Sequence, residues 1–130
     1  MKTITVICAI IIKDNKILVT QRSSKMSLPL KWEFPGGKLE LGENEIECII
    51  REIKEELNIE IQVQRKLMPN FHLYEFFAIN LIPYIANYES GKIYLTEHAA
   101  YKFLDKKDLL NLDWADADLP IVNELLNLKL

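Results

Sequence analysis

The chain has 130 residues, of which 49% are hydrophobic and 27% charged, and its net charge is −3. Such a length and balance fit one globular domain over 1–130 with chain enough to bury a core, and they exclude a disordered or fibrous protein. No basic run exceeds two residues, so the cationic surface that a nucleic-acid polymer needs is absent, while a single nucleotide, whose phosphates can be held through metal, stays open.

Met1–Ile12 is apolar but lacks a small-residue cleavage site and is too short to span a bilayer, so no membrane contact and a cytoplasmic location are expected. Within it Thr3–Ile12, rich in Val and Ile, predicts a buried strand. Lys13–Lys16 is a turn, and Ile17–Gln21 is the returning strand of a hairpin. Ser23–Lys31, with three serines and Pro29, is a loop, and Trp32–Pro35 leads into the turn Gly36-Gly37.

A helix follows from about Asn44 to Leu57. Asn44 and Glu47 form a capping box, and Asn58 suits the left-handed position just past the end. Ile46, Ile49, Ile50, Ile53 and Leu57 trace an apolar stripe. Glu52, Glu55 and Glu56 share a face on its flank. Like charges so placed repel by roughly 0.2–0.5 kcal/mol per pair. Either the face is simply solvated, or a hard divalent cation neutralises it with oxygen ligands.

Downstream, Ile59, Ile61 and Val63 alternate as on a half-buried strand. Phe71–Pro83 and Lys92–Leu95 predict further strands joined by a Glu89-Ser90-Gly91 turn, and Tyr101–Leu104 predicts one more. Asp105 can cap a short helix reaching about Leu110. Asp118 can cap the last helix, with Pro120 tolerated in its first turn. Cys8 and Cys48 lie in apolar runs and read as small core residues, not as a disulfide, and their spacing suits no zinc site. Strands with a central and a terminal helix give an α/β class with helices packed on a sheet.

Gly37, five residues, Glu43, seven residues, then Arg51-Glu52-Ile53-Lys54-Glu55-Glu56-Leu57-Asn58-Ile59 closely resembles the Nudix box. One position departs: Asn58 stands where the family has Gly, and Asn tolerates the same positive φ. The element order resembles the Nudix fold, an α/β/α sandwich around a mixed sheet, over nearly the whole chain. The resemblance implies Mg²⁺, with Mn²⁺ as a substitute, and a set of roles. Glu55 and Glu56 would be metal ligands, with the Gly36 carbonyl beside them. Glu52 would be a ligand or the base that deprotonates water, and Arg51 would orient it. Gly37 and Glu43 would shape the loop. Lys38 is placed to meet a phosphate or simply to be solvated.

Members often add a carboxylate from the second half. Glu97 is the candidate as ligand or base, with Glu89 a weaker rival, because Glu97-His98 with Phe103 resembles a Glu-His stretch of the MutT-type and CTP pyrophosphohydrolase branch. The role of His98 itself is open. Trp32–Gly37 shares the MutT-type lead into the box, and Arg22 falls where relatives place a substrate-contacting Arg. Phe34, Phe76 and Phe77 are aromatics available to a base, although alternation puts Phe76 and Phe77 on opposite faces. Ala117-Asp118-Leu119-Pro120 resembles the terminal segment that reads the base. An ionised Asp118 would only accept hydrogen bonds and so select a donating edge; the bland alternative is a helix cap. The implied activity is hydrolysis of a nucleoside triphosphate to monophosphate and pyrophosphate, with CTP, modified cytidine nucleotides or 8-oxo-dGTP as leading substrates. ADP-ribose or nucleotide-sugar cleavage is the second enzymatic reading, and a non-catalytic nucleotide sensor is the reading of another class. A monomer and a homodimer are both open.

Overall fold

The structure is a computed structural model and describes residues 2–129. Strand β1 (Lys2–Lys13) and strand β7 (Phe77–Ser90) run parallel side by side, in register from Lys2 opposite Phe77 to Ile12 opposite Asn87. Every other pairing in the eight-stranded sheet is antiparallel, so the sheet is mixed. Asp14 and Asn15, both at positive φ (51° and 64°), turn β1 back into β2 (Lys16–Gln21), the conformation a two-residue hairpin requires. Short strands β3 (Trp32–Glu33) and β4 (Gly36–Lys38) pair with β2 and β1. Strands β5 (Glu60–Lys66) and β6 (Asn70–Leu73) pair with β7, and β8 (Ala100–Leu104) with β2.

β1 reads as a continuous apolar run because both its faces are covered. Ile7, Ala9 and Ile11 point to one core, shared with helix α1 (Glu45–Leu57); Cys8 and Ile10 point to the other, shared with helix α2 (Leu119–Leu126). The α/β sandwich expected from the sequence is the one found. Each fully buried isoleucine on these faces contributes about 1.5–3 kcal/mol relative to exposure, and Ile7, Ile11, Ile49 and Ile53 all lie at 0% exposure in the α1 core.

The structure corrects several elements. The apolar stripe of α1 is Cys48, Ile49, Ile53 and Leu57; Ile46 in the first turn is 46% exposed and Ile50, at the rim of the buried arc, 36%. Phe71–Pro83 is not one strand: the Tyr74 amide donates to Phe77 O at 2.8 Å and closes a hairpin between β6 and β7. The turn Tyr74-Glu75-Phe76 carries neither Gly nor Pro, so nothing local marks it. Lys92–Leu95 forms no strand. β7 runs to Ser90, Gly91 turns the chain at φ 102°, and the amides of Tyr94 and Thr96 donate to the carbonyls of Leu57 and Glu56, groups that a helix leaves unpaired at its C-terminus. Asp105 makes no capping bond to the 3₁₀ turn Lys106–Asn111 and lies 3.9 Å from Lys16 instead. Asp118 holds the N-cap position of α2, but its side chain makes no cap bond.

Candidate active site

The register of α1 is fixed at both ends. The Glu47 amide donates to Asn44 Oδ1 at 2.8 Å, the reciprocal half of the capping box is present, and Asn58 ends the helix at φ 61°. At about 100° per residue, Glu52 and Glu56 then fall on the sheet-facing arc between Cys48 and Ile53, while Glu55 turns outward. The side chain of Glu52 is 14% exposed and that of Glu55 59%. The acidic face read from the sequence is thus divided, with two carboxylates inside and one outside.

Arg51 organises this end. It donates from Nε and Nη2 to the two oxygens of Glu43 at 2.6 and 2.9 Å, and from Nη1 to Glu52 at 2.9 Å and Glu55 at 3.1 Å. The fork on Glu43 is the bidentate arrangement that makes such pairs strong, and it holds the Glu43 carboxyl down to about 2. The Glu40 amide also donates to Glu43, which ties the loop to the helix.

The glycines give the carboxylates room. A Cβ on Gly36 would lie 2.0 Å from Ile7 O, and one on Gly37 2.2 Å from the Glu52 carboxyl. Glu52 therefore rests on the bare backbone of β4. Burial pushes its carboxyl up, with the Arg51 hydrogen bond opposing.

Glu56 is the electrostatic centre. Its Oε2 is buried without a hydrogen-bond partner. Burial first, then the charges of Glu52, Glu33 and Glu97, pushes its carboxyl up to about 9. Among the described residues no three His, Cys, Asp or Glu side chains already close on one point, and Arg51 engages Glu52 and Glu55. The donor set nonetheless fits a hard divalent cation: all the atoms are oxygens, one is orphaned, and positive charge is what the cluster lacks. A Mg²⁺-type site needs only one or two carboxylates, the rest being water and substrate oxygens.

A cavity of 310 Å³ opens beside Glu56, and Gly36, Gly37, Lys38, Arg22, Glu33, Phe34, Phe77, His98 and Asp118 are among its lining residues. Ile4, Val6, Ile79 and Leu81 give it an apolar floor. Arg22 donates to Glu33 at 2.8 Å, to Ser27 O at 2.6 Å and to Ser27 Oγ at 3.1 Å. Three of its five N–H groups are used and two are left for a ligand. Phe34 is buried and packs on Trp114 with 4.8 Å between ring centres. Phe77 stacks on Tyr74, whereas Phe76 is 80% exposed on the hairpin turn and does not line the cavity.

Asp118 is buried, and its Oδ2 accepts from the Phe34 amide at 2.9 Å. Burial and the Glu33 charge push its carboxyl well above the usual range, against the Phe34 bond. The shift is toward the protonated acid, which can donate as well as accept, whereas the ionised carboxylate read from the sequence only accepts. Neither Glu97 nor Glu89 lines the cavity; Glu97 is exposed on the segment after Thr96, close enough for its charge to act on Glu56, while Glu89 lies at the end of β7.

Sequence reasoning passed over Glu33 and Tyr74. Glu33 bonds Arg22 and, through its other oxygen, His98 Nε2 at 2.9 Å. The Tyr74 hydroxyl accepts from the Ala117 amide at 3.0 Å, latching the hairpin to the segment before α2. The one available signal for Glu33 was its place in Trp32–Gly37; Tyr74 had none. No helix among the described residues is long and apolar enough to cross a membrane.

A family model described as NUDIX domain matches residues 1–125. The CTP pyrophosphohydrolase of Escherichia coli (strain K12) is 32% identical over 129 residues, covering 99% of this chain and 96% of that protein. The 8-oxo-dGTP diphosphatase of Buchnera aphidicola subsp. Schizaphis graminum is 31% identical over 125 residues, covering 96% and 95%. The solution structure of the DNA mismatch repair protein MutT (family Nudix hydrolase) from methicillin-resistant Staphylococcus aureus 252 superposes with a TM-score of 0.78 at 46% identity, covering 97% and 98%.

Proposed function

The chain belongs to the Nudix family and is a hydrolase of MutT-like build, and from that premise we propose that it is a Mg²⁺-dependent nucleoside triphosphate pyrophosphohydrolase, with CTP, a modified cytidine nucleotide or 8-oxo-dGTP as substrate. The observation that carries the reading is the orphaned, buried Glu56 Oε2 at the edge of a cavity with an apolar floor. Glu56, Glu52 and the Gly36 carbonyl would hold the Mg²⁺, with Glu55 and Glu97 as further carboxylates, and the ion when bound would supply charge neutralisation on the phosphates and a water of lowered pKa.

The protein's own groups do the rest. Water attacks the β-phosphorus, the bond from that phosphorus to the α–β bridging oxygen breaks, and the monophosphate leaves with that oxygen. Glu52 or Glu97 accepts the proton of the water. For Glu52, burial favours taking it, and the Arg51 bond holds the carboxylate in place. Lys38 and the two spare N–H groups of Arg22 meet phosphate oxygens. The base lies against Phe34 and Phe77 and is read by Asp118. With Oδ2 engaged by Phe34, a protonated Asp118 donates from its other oxygen to an acceptor on the base edge. Cytosine N3 is such an acceptor, whereas uracil N3 carries a hydrogen. That contrast and the likeness to a CTP pyrophosphohydrolase both support the cytidine reading. Both cysteines are free and buried, in keeping with a single-domain enzyme of the cytoplasm.

The test is pyrophosphate release from a panel of nucleoside triphosphates, canonical and modified, with ADP-ribose as an outgroup, in Mg²⁺ and in chelator. Chelator-sensitive release from CTP or 5-methyl-CTP is expected. Preference for 8-oxo-dGTP would make the enzyme a sanitiser of the nucleotide pool. Cleavage of ADP-ribose alone would overturn the substrate class, and tight nucleotide binding with no turnover would make the protein a sensor.

A further inference from the structure

The segment after Gly91 has no strand or helix until β8 begins at Ala100, yet it carries Glu97. Glu97 is exposed, and among the described residues it makes no hydrogen bond of its own. What fixes it lies on either side. Before it, Thr96 is tied twice to the end of α1: its amide donates to Glu56 O at 3.2 Å and its hydroxyl to Glu55 O at 2.9 Å. After it, the His98 ring is buried, with its side chain 2% exposed, and meets Glu33 Oε2 through Nε2 at 2.9 Å, and the Ala99 amide donates to Gln21 O at 2.9 Å. Glu33 is itself immobilised by Arg22, and Arg22 by Ser27. His98 thus ends a chain of hydrogen bonds that runs from the loop after β2, through Ser27 and Arg22, to Glu33 of β3.

We propose that His98 is a positioning residue for Glu97: by anchoring to Glu33 it clamps the segment from one side while Thr96 clamps it from the other, so that the Glu97 carboxylate is delivered to Glu56. The physical need is entropic. A glutamate on an irregular segment has backbone and rotamer freedom to lose before it can act, and rigid neighbours remove that cost in advance. The proposal rests on the reading of Glu97 as a carboxylate of the metal site, and it assigns to His98 no proton transfer and no contact with substrate.

The test is a double-mutant cycle on the full chain, read by calorimetric titration of the metal-free protein with Mn²⁺ and by kcat and KM for the preferred triphosphate. Losing an orienting partner of a metal ligand costs about 10–100-fold in metal affinity or activity. His98→Leu is expected to weaken Mn²⁺ and lower kcat within that range with KM little changed. His98→Gln, whose amide nitrogen reaches the place of Nε2, is expected to restore most of both. Glu97→Gln alone is expected to do similar damage, and His98→Leu added to it to do no more, because coupled residues are not additive. If Glu97→Gln is damaging and the two losses multiply, or His98→Leu is silent, the positioning role is overturned and the Glu97 reading stands. If Glu97→Gln is itself silent in both measurements, the reading of Glu97 falls and the proposal with it. Should the leucine variant not fold, His98→Asn, whose shorter amide stops short of Glu33, takes its place in the cycle with the same expected losses.

Discussion

The α1 end of the cavity comes from one continuous segment, residues 36–59, whereas the Asp118 end is assembled from Arg22, Phe34, the β6–β7 hairpin and the start of α2. At the first end, carboxylates are held by an arginine eight residues away or fewer. At the second, Asp118 meets Phe34 across 84 positions of sequence and Tyr74 meets Ala117 across 43. The contrast separates two kinds of work. In the proposed reading most of the charge placement for phosphoryl chemistry, Glu52, Glu55, Glu56 and Lys38, follows from helical periodicity and a glycine turn, which a local motif can encode, and only Arg22 and Glu97 are brought in from elsewhere. Selection of a base needs a shaped apolar box with a few polar groups, and here that takes pieces from most of the chain.

Glu56→Gln should break the first end with the largest effect. Several kcal/mol of charge stabilisation correspond to a loss of about 10²–10⁴-fold in kcat, measured as pyrophosphate release in saturating Mg²⁺. Without metal, the same substitution should help folding at high pH. The folded Glu56 carboxyl sits near 9, above its ordinary value of 4.5. The native state therefore binds more protons than the unfolded one, and stability falls as pH rises through that window. Thermal unfolding in chelator should show Tm declining from pH 5 to 9 in the wild type and a flatter profile in Glu56→Gln.

The second end should yield to smaller changes. Asp118→Asn keeps one donor and one acceptor and so imitates the protonated acid; it should leave the ratio of kcat/KM between CTP and UTP within about 3-fold of wild type, less than one hydrogen bond is worth. A larger shift would mean that Asp118 acts as an ionised acceptor.

Glu43→Gln tests whether the loop of the first end is held by its ion pair. Glu43 is depressed from 4.5 to about 2 by Arg51, so its contribution is fully present above about 4.5 and is lost as pH falls toward 2. The Tm gap between wild type and variant should accordingly close over that range. The smallest effect concerns the thiols. Burial pushes Cys48 up to about 12 and raises Cys8 as well, so neither should react with a disulfide reagent at neutral pH until the protein unfolds.

The same contrast governs what the sequence disclosed. The capping box, Asn58, the box carboxylates and the buried β1 were legible because each rests on local periodicity. Counting Ile46 and Ile50 into the stripe failed because Ile46, although on the buried side, lies in the first turn beyond the edge of the sheet's cover, and Ile50 lies at the rim of an arc that turns instead toward Cys48, Glu52 and Glu56. Glu33 and His98 gave no signal of their pairing, since strand register and a segment without secondary structure bring them together across 65 positions. The β6–β7 turn was hidden by its ordinary residues, and Asp118 looked like a cap because its partner, Phe34, is visible only in three dimensions.

In the proposed function the two ends divide the work, chemistry at Glu56 and selection at Asp118. The most direct measurement is kcat/KM for CTP and 8-oxo-dGTP with Glu56→Gln and with Asp118→Leu, which keeps bulk but has no donor. Glu56→Gln should depress both substrates equally and leave their ratio unchanged, while Asp118→Leu should move the ratio by about 10-fold, the worth of one hydrogen bond left unmade. A ratio that shifts with Glu56→Gln and holds with Asp118→Leu would contradict the division.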